Sequence, residues 1–476
     1  MLPRHTRRIF AFALLSGLGF VALAAGAGEM PVPPRAPVLP TVLPPVPPTS
    51  HLIRYQDLIP IQATKPADPQ KEGKKEKLDK NGLPPTAETG PELSLGECVA
   101  IAVERHPSLK AVQASTAASQ AGYRALMKFG TVGTLISPDL DIRKQQAQRG
   151  LTGSAGEYQK AHNELVQDVT RMYFTAVYAR QQLAIAEEVI EQLADLETLI
   201  ENILKEAKTP EDLGGLTPGK LLTVKIGIRE ARSLRAQAIV GRKRAMAALR
   251  QTMAVEAETF PFRVKDAELP LMKQSAEITR EIVVEQALAR RPELALAAAG
   301  VDVFRLEVYA QGKIPFKRVV PTFASGADLH SRAIPQPERG KEYRPGGITP
   351  EMPTQLVGSK YDRVCRAMAF SQKADAVYES AHSLIVLEAE NGFFELELAT
   401  EKLRLAKEKH DLAIDLQTYT RQNLQNIKAK DQVFQVEVLV AKAQSDYVEA
   451  VYQHLLALSA LERITAGGIS PAFPGR

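Results

Sequence analysis

Four long stretches of the chain, residues 160–208, 220–256, 373–425 and 430–465, carry apolar positions at helical spacing with no proline inside them. They are rich in Ala, Leu, Glu, Gln, Lys and Arg, the residues that lose least on entering a helix. In the first, Leu165, Val169, Met172, Ala176, Ala179, Leu183, Ala186, Ile190, Leu193, Leu196, Ile200, Ile203 and Ala207 follow one another in steps of mostly four and three. That spacing predicts a narrow apolar seam of the coiled-coil kind. In the third, Leu398, Leu405 and Leu412 stand seven apart, with Leu387 and Phe394 beside them in a less regular register. At ~1.5 Å per residue, 160–208 and 373–425 each predict a rod of roughly 75–80 Å. Ordinary globular helices stop at about 20 residues, so the pattern predicts an elongated, mainly α protein of antiparallel hairpins.

The elements occur twice. Val103-Glu104-Arg105-His106-Pro107-Ser108-Leu109 has a counterpart in Leu288-Ala289-Arg290-Arg291-Pro292-Glu293-Leu294. Tyr173-Phe174 corresponds to Phe393-Phe394, and Ala248-Leu249-Arg250 to Ala460-Leu461-Glu462, so the offsets are 185, 220 and 212. Each half therefore predicts a short helix (94–105; 280–290) that stops before a proline, because the residue before proline is pushed out of helical geometry. A second helix starts at that proline, where the missing N–H costs nothing. After an insertion, a very long helix, a tight loop and a return helix complete the half. Gly214-Gly215-Leu216-Thr217-Pro218-Gly219 forms the loop of half one. Ala429-Lys430-Asp431 forms that of half two, with Asp431 as the expected cap.

The insertions, 129–158 and 315–372, are the places for β-hairpins. In the second, Val319, Pro321, Phe323, Ser325, Ala327 and Leu329 alternate with more polar residues, though Pro321 weakens the strand. Its partner near Thr354 to Met368 alternates poorly. The first offers only Thr131 to Ile136 before Pro138, then the charged run Asp139 to Arg149.

Composition adds three points. Arg4, Arg7 and Arg8 precede an apolar run from Ile9 to Ala25 that ends in small residues, which reads as a signal peptide over 1–27. Residues 31–50 hold nine prolines and Lys71 to Lys80 is lysine-rich, so 28–92 reads as an exposed extension without a core. Beyond the leader no run of about 18 apolar residues occurs, which leaves a barrel as the route into a membrane. Candidate chemistry is sparse. The eight histidines are scattered, no phosphate loop or nucleophile motif occurs, and the net charge of +5 concentrates on no face, so no metal, cofactor, catalytic residue or nucleic acid is expected. Cys98 and Cys365 are the only cysteines and can pair in an oxidising compartment.

Leu93-Ser94-Leu95-Gly96-Glu97-Cys98-Val99-Ala100-Ile101-Ala102 leading into Pro107-Ser108-Leu109 resembles the opening of the TolC family of outer-membrane efflux proteins. The likeness continues through Val169 to Phe174 and Leu183 to Glu187, and recurs across 282–314 and 384–462. His106 and Arg291 stand where the family usually has asparagine, and the chain has no tryptophan for the membrane interfaces. The resemblance implies two repeats, 93–256 and 280–465, joined by a linker at 257–279 and followed by a tail at 466–476. It implies a homotrimer whose hairpins build a shared 12-stranded barrel in outer-membrane lipid above a periplasmic helical tunnel. It also implies a periplasmic adaptor, an inner-membrane pump and passive export of small molecules, metals or proteins. By position, Leu213, Gly214, Gly215, Leu216, Thr217, Pro218 and Gly219 form one tip of the tunnel, and Ile427, Lys428, Ala429, Lys430 and Asp431 the other, as gate and adaptor contact. The alternative is a periplasmic coiled-coil scaffold derived from such a channel without a working barrel.

Overall fold

In a computed structural model, residues 90–129, 137–206, 217–272, 278–314, 356, 358–422 and 429–476 are described. Eight helices follow in order among them: α1 (Leu95–Arg105), α2 (Pro107–Met127), α3 (Leu140–Glu206), α4 (Pro218–Met253), α5 (Arg280–Arg290), α6 (Pro292–Lys313), α7 (Lys360–Gln422) and α8 (Ala429–Ile464). The strands among the described residues are β1 (Glu92–Leu93) and β2 (Arg263–Val264), which pair in parallel.

The helix starts follow from local chemistry. Ser94 caps α1 as a box: its Oγ accepts from Glu97 N at 3.4 Å, and its own N–H donates to Glu97 Oε2 at 2.7 Å. Thr279 caps α5 in the same position. His106 and Arg291, each before a proline, share one extended conformation (φ −61, ψ 124 and φ −62, ψ 122) and bend the chain between the paired helices. The ends repeat as well. α4 runs into Ala254 at φ 52 and α8 is followed by Ala466 at φ 47, both left-handed. Val255 N–H returns to Arg250 O at 3.0 Å, and Gly467 N–H to Glu462 O at 2.8 Å. These are equivalent Schellman closures, 212 residues apart.

α3 has 67 residues and α7 has 63, so at ~1.5 Å per residue they reach roughly 100 and 95 Å. Both start earlier than the sequence reading expects. Helix occupies 140–158, where the first β-hairpin is expected, and 360–372, where part of the second is expected. The charges and glycines of 139–156 look like breakers, but packing decides otherwise. Leu140, Ile142, Gln146, Gly153 and Gly156 are buried, and a Cβ on Gly156 would lie 3.3 Å from Leu296 Cγ. Glycine there lets α3 approach α6 closely. Only twelve residues, 128–139, remain between α2 and α3. Strand Thr131–Ile136 and the second insertion's Val319–Leu329 lie outside the described residues, as does the reading of 1–89.

Leu193, Ile200, Val224, Ile228 and Ala231 close the seam between α3 and α4, with Val189, Leu196 and Ile203 beside them. Between repeats, Thr175 meets Tyr452 at 2.8 Å and Ser445 Oγ donates to Gln182 Oε1 at 2.9 Å. Tyr178 stacks on Tyr452 with centroids 4.6 Å apart. Partner numbers fall on α8 as they rise on α3, so the two run antiparallel. Both hairpin tips therefore lie at one end of the bundle. Cys98 is buried, Cys365 is exposed, and both are free thiols.

Candidate functional site

At the first tip, the structure describes Thr217, Pro218 and Gly219 of the expected set. Thr217 is the N-cap of α4: its Oγ1 accepts from Lys220 N at 3.3 Å, and Pro218 occupies the first helical position. Leu213, Gly214, Gly215 and Leu216 lie outside the described residues, as do Ile427 and Lys428 of the second tip. α8 begins at Ala429, which places Lys430 and Asp431 inside its first turn. Asp431 is thus not the cap that the sequence suggests, because the helix starts two residues before it.

Below the tips each hairpin is laced by cross-helix charge. Lys225 Nζ lies 2.9 Å from Glu201, and Arg235 Nε 3.1 Å from Glu187. On the second hairpin Lys409 Nζ reaches Asp446 at 2.6 Å, and Arg421 reaches Glu437 at 2.9 Å. The Glu201 carboxyl is held below its ordinary range by the Lys225 hydrogen bond. Pairs of this kind, each with at least one partner open to solvent, contribute little each and fix register more than stability. Leu405, Glu408, Lys409, Leu412, Ala413 and Leu416 of α7, with Leu439 of α8, line a shallow groove of about 380 Å³.

The open face of α7 inverts the usual order. Its buried positions are mostly small, including Ala374, Ala381, Ala389, Gly392, Ala399 and Ala413. Its large apolar residues point outward: Leu398 is 54% exposed, Leu405 50%, Leu412 68% and Tyr419 67%. These four stand seven apart, and Leu387 and Phe394 continue the face toward the other end. The expected heptad stripe is present, but it is not the seam of its own hairpin. A stripe this long and apolar marks a surface that packs against something. The pattern alone could not tell the inner seam from the outer one, because small residues carry the inner one.

The interior holds charge where the two halves differ. Arg291 donates to Glu293 at 2.8 and 2.9 Å, to Glu388 at 2.8 Å and to the Ile464 carbonyl at 3.4 Å. Arg463 donates to the other oxygen of Glu388 at 2.5 Å. All four side chains are buried. Burial pushes the Glu293 carboxyl up, and the Arg291 guanidinium outweighs it and holds the group below the ordinary range. Sequence reasoning singles out Arg291 as unusual but misses the cluster: Glu293 is two residues on, while Glu388 and the Ile464 carbonyl lie 97 and 173 residues along the chain. Its counterpart His106 pairs instead with Ser108 at 2.6 Å on the surface. The buried Cys98 thiol is pushed up to about 12, by burial first and then by Glu97 and Asp266, which leaves it unreactive. Among the described residues, no group of His, Cys, Asp and Glu is placed to hold a metal ion. Nor is any described helix long and apolar enough to cross a membrane, which says nothing of a barrel.

Residues 283–467 match the family model for outer membrane efflux proteins. No curated protein sequence matches at a significant level. Among solved structures, the open-state MtrE outer membrane channel of Neisseria gonorrhoeae is similar at 15% identity and a TM-score of 0.59, covering 84% of this chain and 98% of that one. The CmeC outer membrane channel of Campylobacter jejuni is similar at 11% identity and a TM-score of 0.54, covering 87% and 96%. The outer membrane protein VceC of Vibrio cholerae is similar at 12% identity and a TM-score of 0.57, covering 79% and 97%. At such identities the likeness speaks for the fold. The chain thus has the fold of the TolC-family outer-membrane channels, and its second repeat is recognised as an outer membrane efflux protein domain.

Proposed function

We propose that the chain is the outer-membrane exit channel of a tripartite efflux or type I export system, passing small molecules, metals or proteins from periplasm to exterior without chemistry of its own. The observation that carries this reading is the pair of long hairpins in two repeats, shared over nearly the full length of known channels. In this reading three copies close the outward stripes of α7 against one another as a homotrimer. The tips at 213–219 and 427–431 gate the periplasmic mouth and meet an adaptor, which links the channel to an inner-membrane pump. The second insertion enters the outer-membrane lipid.

Outer-membrane fractionation followed by alkaline extraction tests it. Retention in the membrane pellet is the expected result, and release as a soluble species overturns it. Gly215→Glu and Ala429→Glu are expected to change substrate resistance at normal expression, and unchanged resistance refutes the tip assignment. A second reading, a periplasmic scaffold without a working barrel, has one observation in its favour. A membrane strand takes about 9–11 residues, and twelve residues between α2 and α3 cannot supply two of them.

A further inference from the structure

Arg363, in the first turn of α7, is buried, and its guanidinium serves three acceptors. It donates to Gly358 O at 2.9 Å, to Ile314 O at 2.8 Å and to Gln311 Oε1 at 2.9 Å. α7 takes up the last residues of the second insertion, and Ile314 and Gly358 bound what is left of it, 315–357, so one side chain draws the two ends of that segment together. Gln311 in turn donates to Glu307 at 2.6 Å. Glu307 takes Arg143 through both its oxygens, one at 3.2 Å. Arg143 also pairs with Asp139 at 2.9 Å, where the chain leaves the first insertion. Gln146 closes the set with 2.9 Å to Glu307 and 3.0 Å to Val303 O. The two guanidiniums and two carboxylates balance, and the chain of contacts runs from the exit of one insertion to both ends of the other.

The repeat makes the arrangement more telling. Arg143 and Arg363 are counterparts at the 220-residue offset, while Glu307 and Gln311 have Gly122 and Leu126 at their counterpart positions, 185 residues earlier. Equivalent arginines from both halves thus converge on α6, and α2 offers neither acceptor. Buried charge of this kind seldom raises stability over an apolar core, and its best-attested use is to fix one arrangement. A forked guanidinium can hold two carbonyls and an amide at once, which a lysine ammonium cannot do in one plane.

We propose that Arg363, with Glu307, Gln311 and Arg143, is a clasp that seats the neck of the second insertion at a fixed place on the bundle, and that outer-membrane assembly depends on it. These are positioning residues, and the inference rests on the channel reading above. The test compares full-length wild type with Arg363→Lys, Arg363→Ala, Glu307→Gln and the surface control Arg404→Ala. Two quantities are read: the fraction resistant to alkaline extraction in the outer membrane, and the helical content and thermal midpoint of the purified protein. Arg363→Lys and Glu307→Gln are expected to lower the membrane fraction at least tenfold while helical content stays at the wild-type level, with Arg404→Ala unchanged. Arg363→Lys or Glu307→Gln protein that assembles like wild type overturns the clasp and leaves the channel reading intact. Loss of helical content in parallel with assembly also overturns it, because the network is then only part of the core. Wild-type protein that washes off the membrane removes the channel reading, and the clasp with it.

Discussion

Glu388 is the sharpest place to perturb the bundle. Its carboxylate is 2% exposed and joins Arg291, 3% exposed, to Arg463, 6% exposed. Glu388→Ala removes the carboxylate that stands between two buried guanidiniums and breaks both of these ion pairs at once. Breaking a buried pair in this way costs about 3–5 kcal/mol. The unit Lys77–Arg476 has an unfolding entropy of roughly 0.8 kcal/mol/K if each residue contributes ~2.1 cal/mol/K. A loss of about 4 kcal/mol then lowers the thermal midpoint by roughly 5 °C. Circular dichroism at 222 nm during heating measures it. The double variant Glu388→Leu, Arg463→Leu removes one charge of each sign and leaves Arg291 with Glu293, so it is expected to recover most of the loss. A Glu388→Ala midpoint within about 1 °C of wild type refutes the reasoning, as does a double variant no better than the single one.

Three further outcomes follow from the same geometry. Leu405→Asp with Leu412→Asp is expected to abolish self-association in sedimentation while helical content holds, since both side chains are exposed on α7. Gly392→Leu is expected to cost about 1–3 kcal/mol in thermal unfolding, because a Cβ there already lies 2.5 Å from Ile464 Cδ1. His454 is buried and burial lowers its pKa, so the unfolded chain binds the proton more readily than the folded one. Stability is therefore full above the ordinary histidine range near 6.5 and falls as pH drops below it, and His454→Phe is expected to flatten that slope between pH 7 and 5.5.

What was legible in the sequence was whatever a local mechanism dictates. Pro107 and Pro292 announce the bends, and with them the short helices before each proline and the helices that start at it. Ala254 and Ala466 could not be read, since alanine gives no sign of a left-handed closure that the surrounding helix ends impose. The first turns of α3 were hidden for the opposite reason. Gly153 and Gly156 argue locally against a helix; both are buried, and the close approach of α6 shows what Gly156 is for. Arg291 is marked in the sequence only as a departure from the asparagine usual in the family, and Arg363 by nothing at all. Their partners lie up to 173 residues away, and such distances leave no periodic trace. Of the tips, the sequence places the first loop at 214–219, while the cap at Thr217 and the start of α8 at Ala429 come only from the structure.

The smallest element of the fold bears on how the chain is made. β1 precedes the first repeat and β2 follows it, so Glu92 beside Arg263 and Leu93 beside Val264 bring the two ends of that repeat together. Tyr173 OH bonds Asp266 at 2.8 Å, and Arg180 reaches the Val264 carbonyl at 3.4 Å, which fastens the join to α3. Every residue in this closure lies before position 270. A chain delivered from its N-terminus can therefore tie off its first half before any of the second has emerged, and the later half then has a finished surface on which to fold.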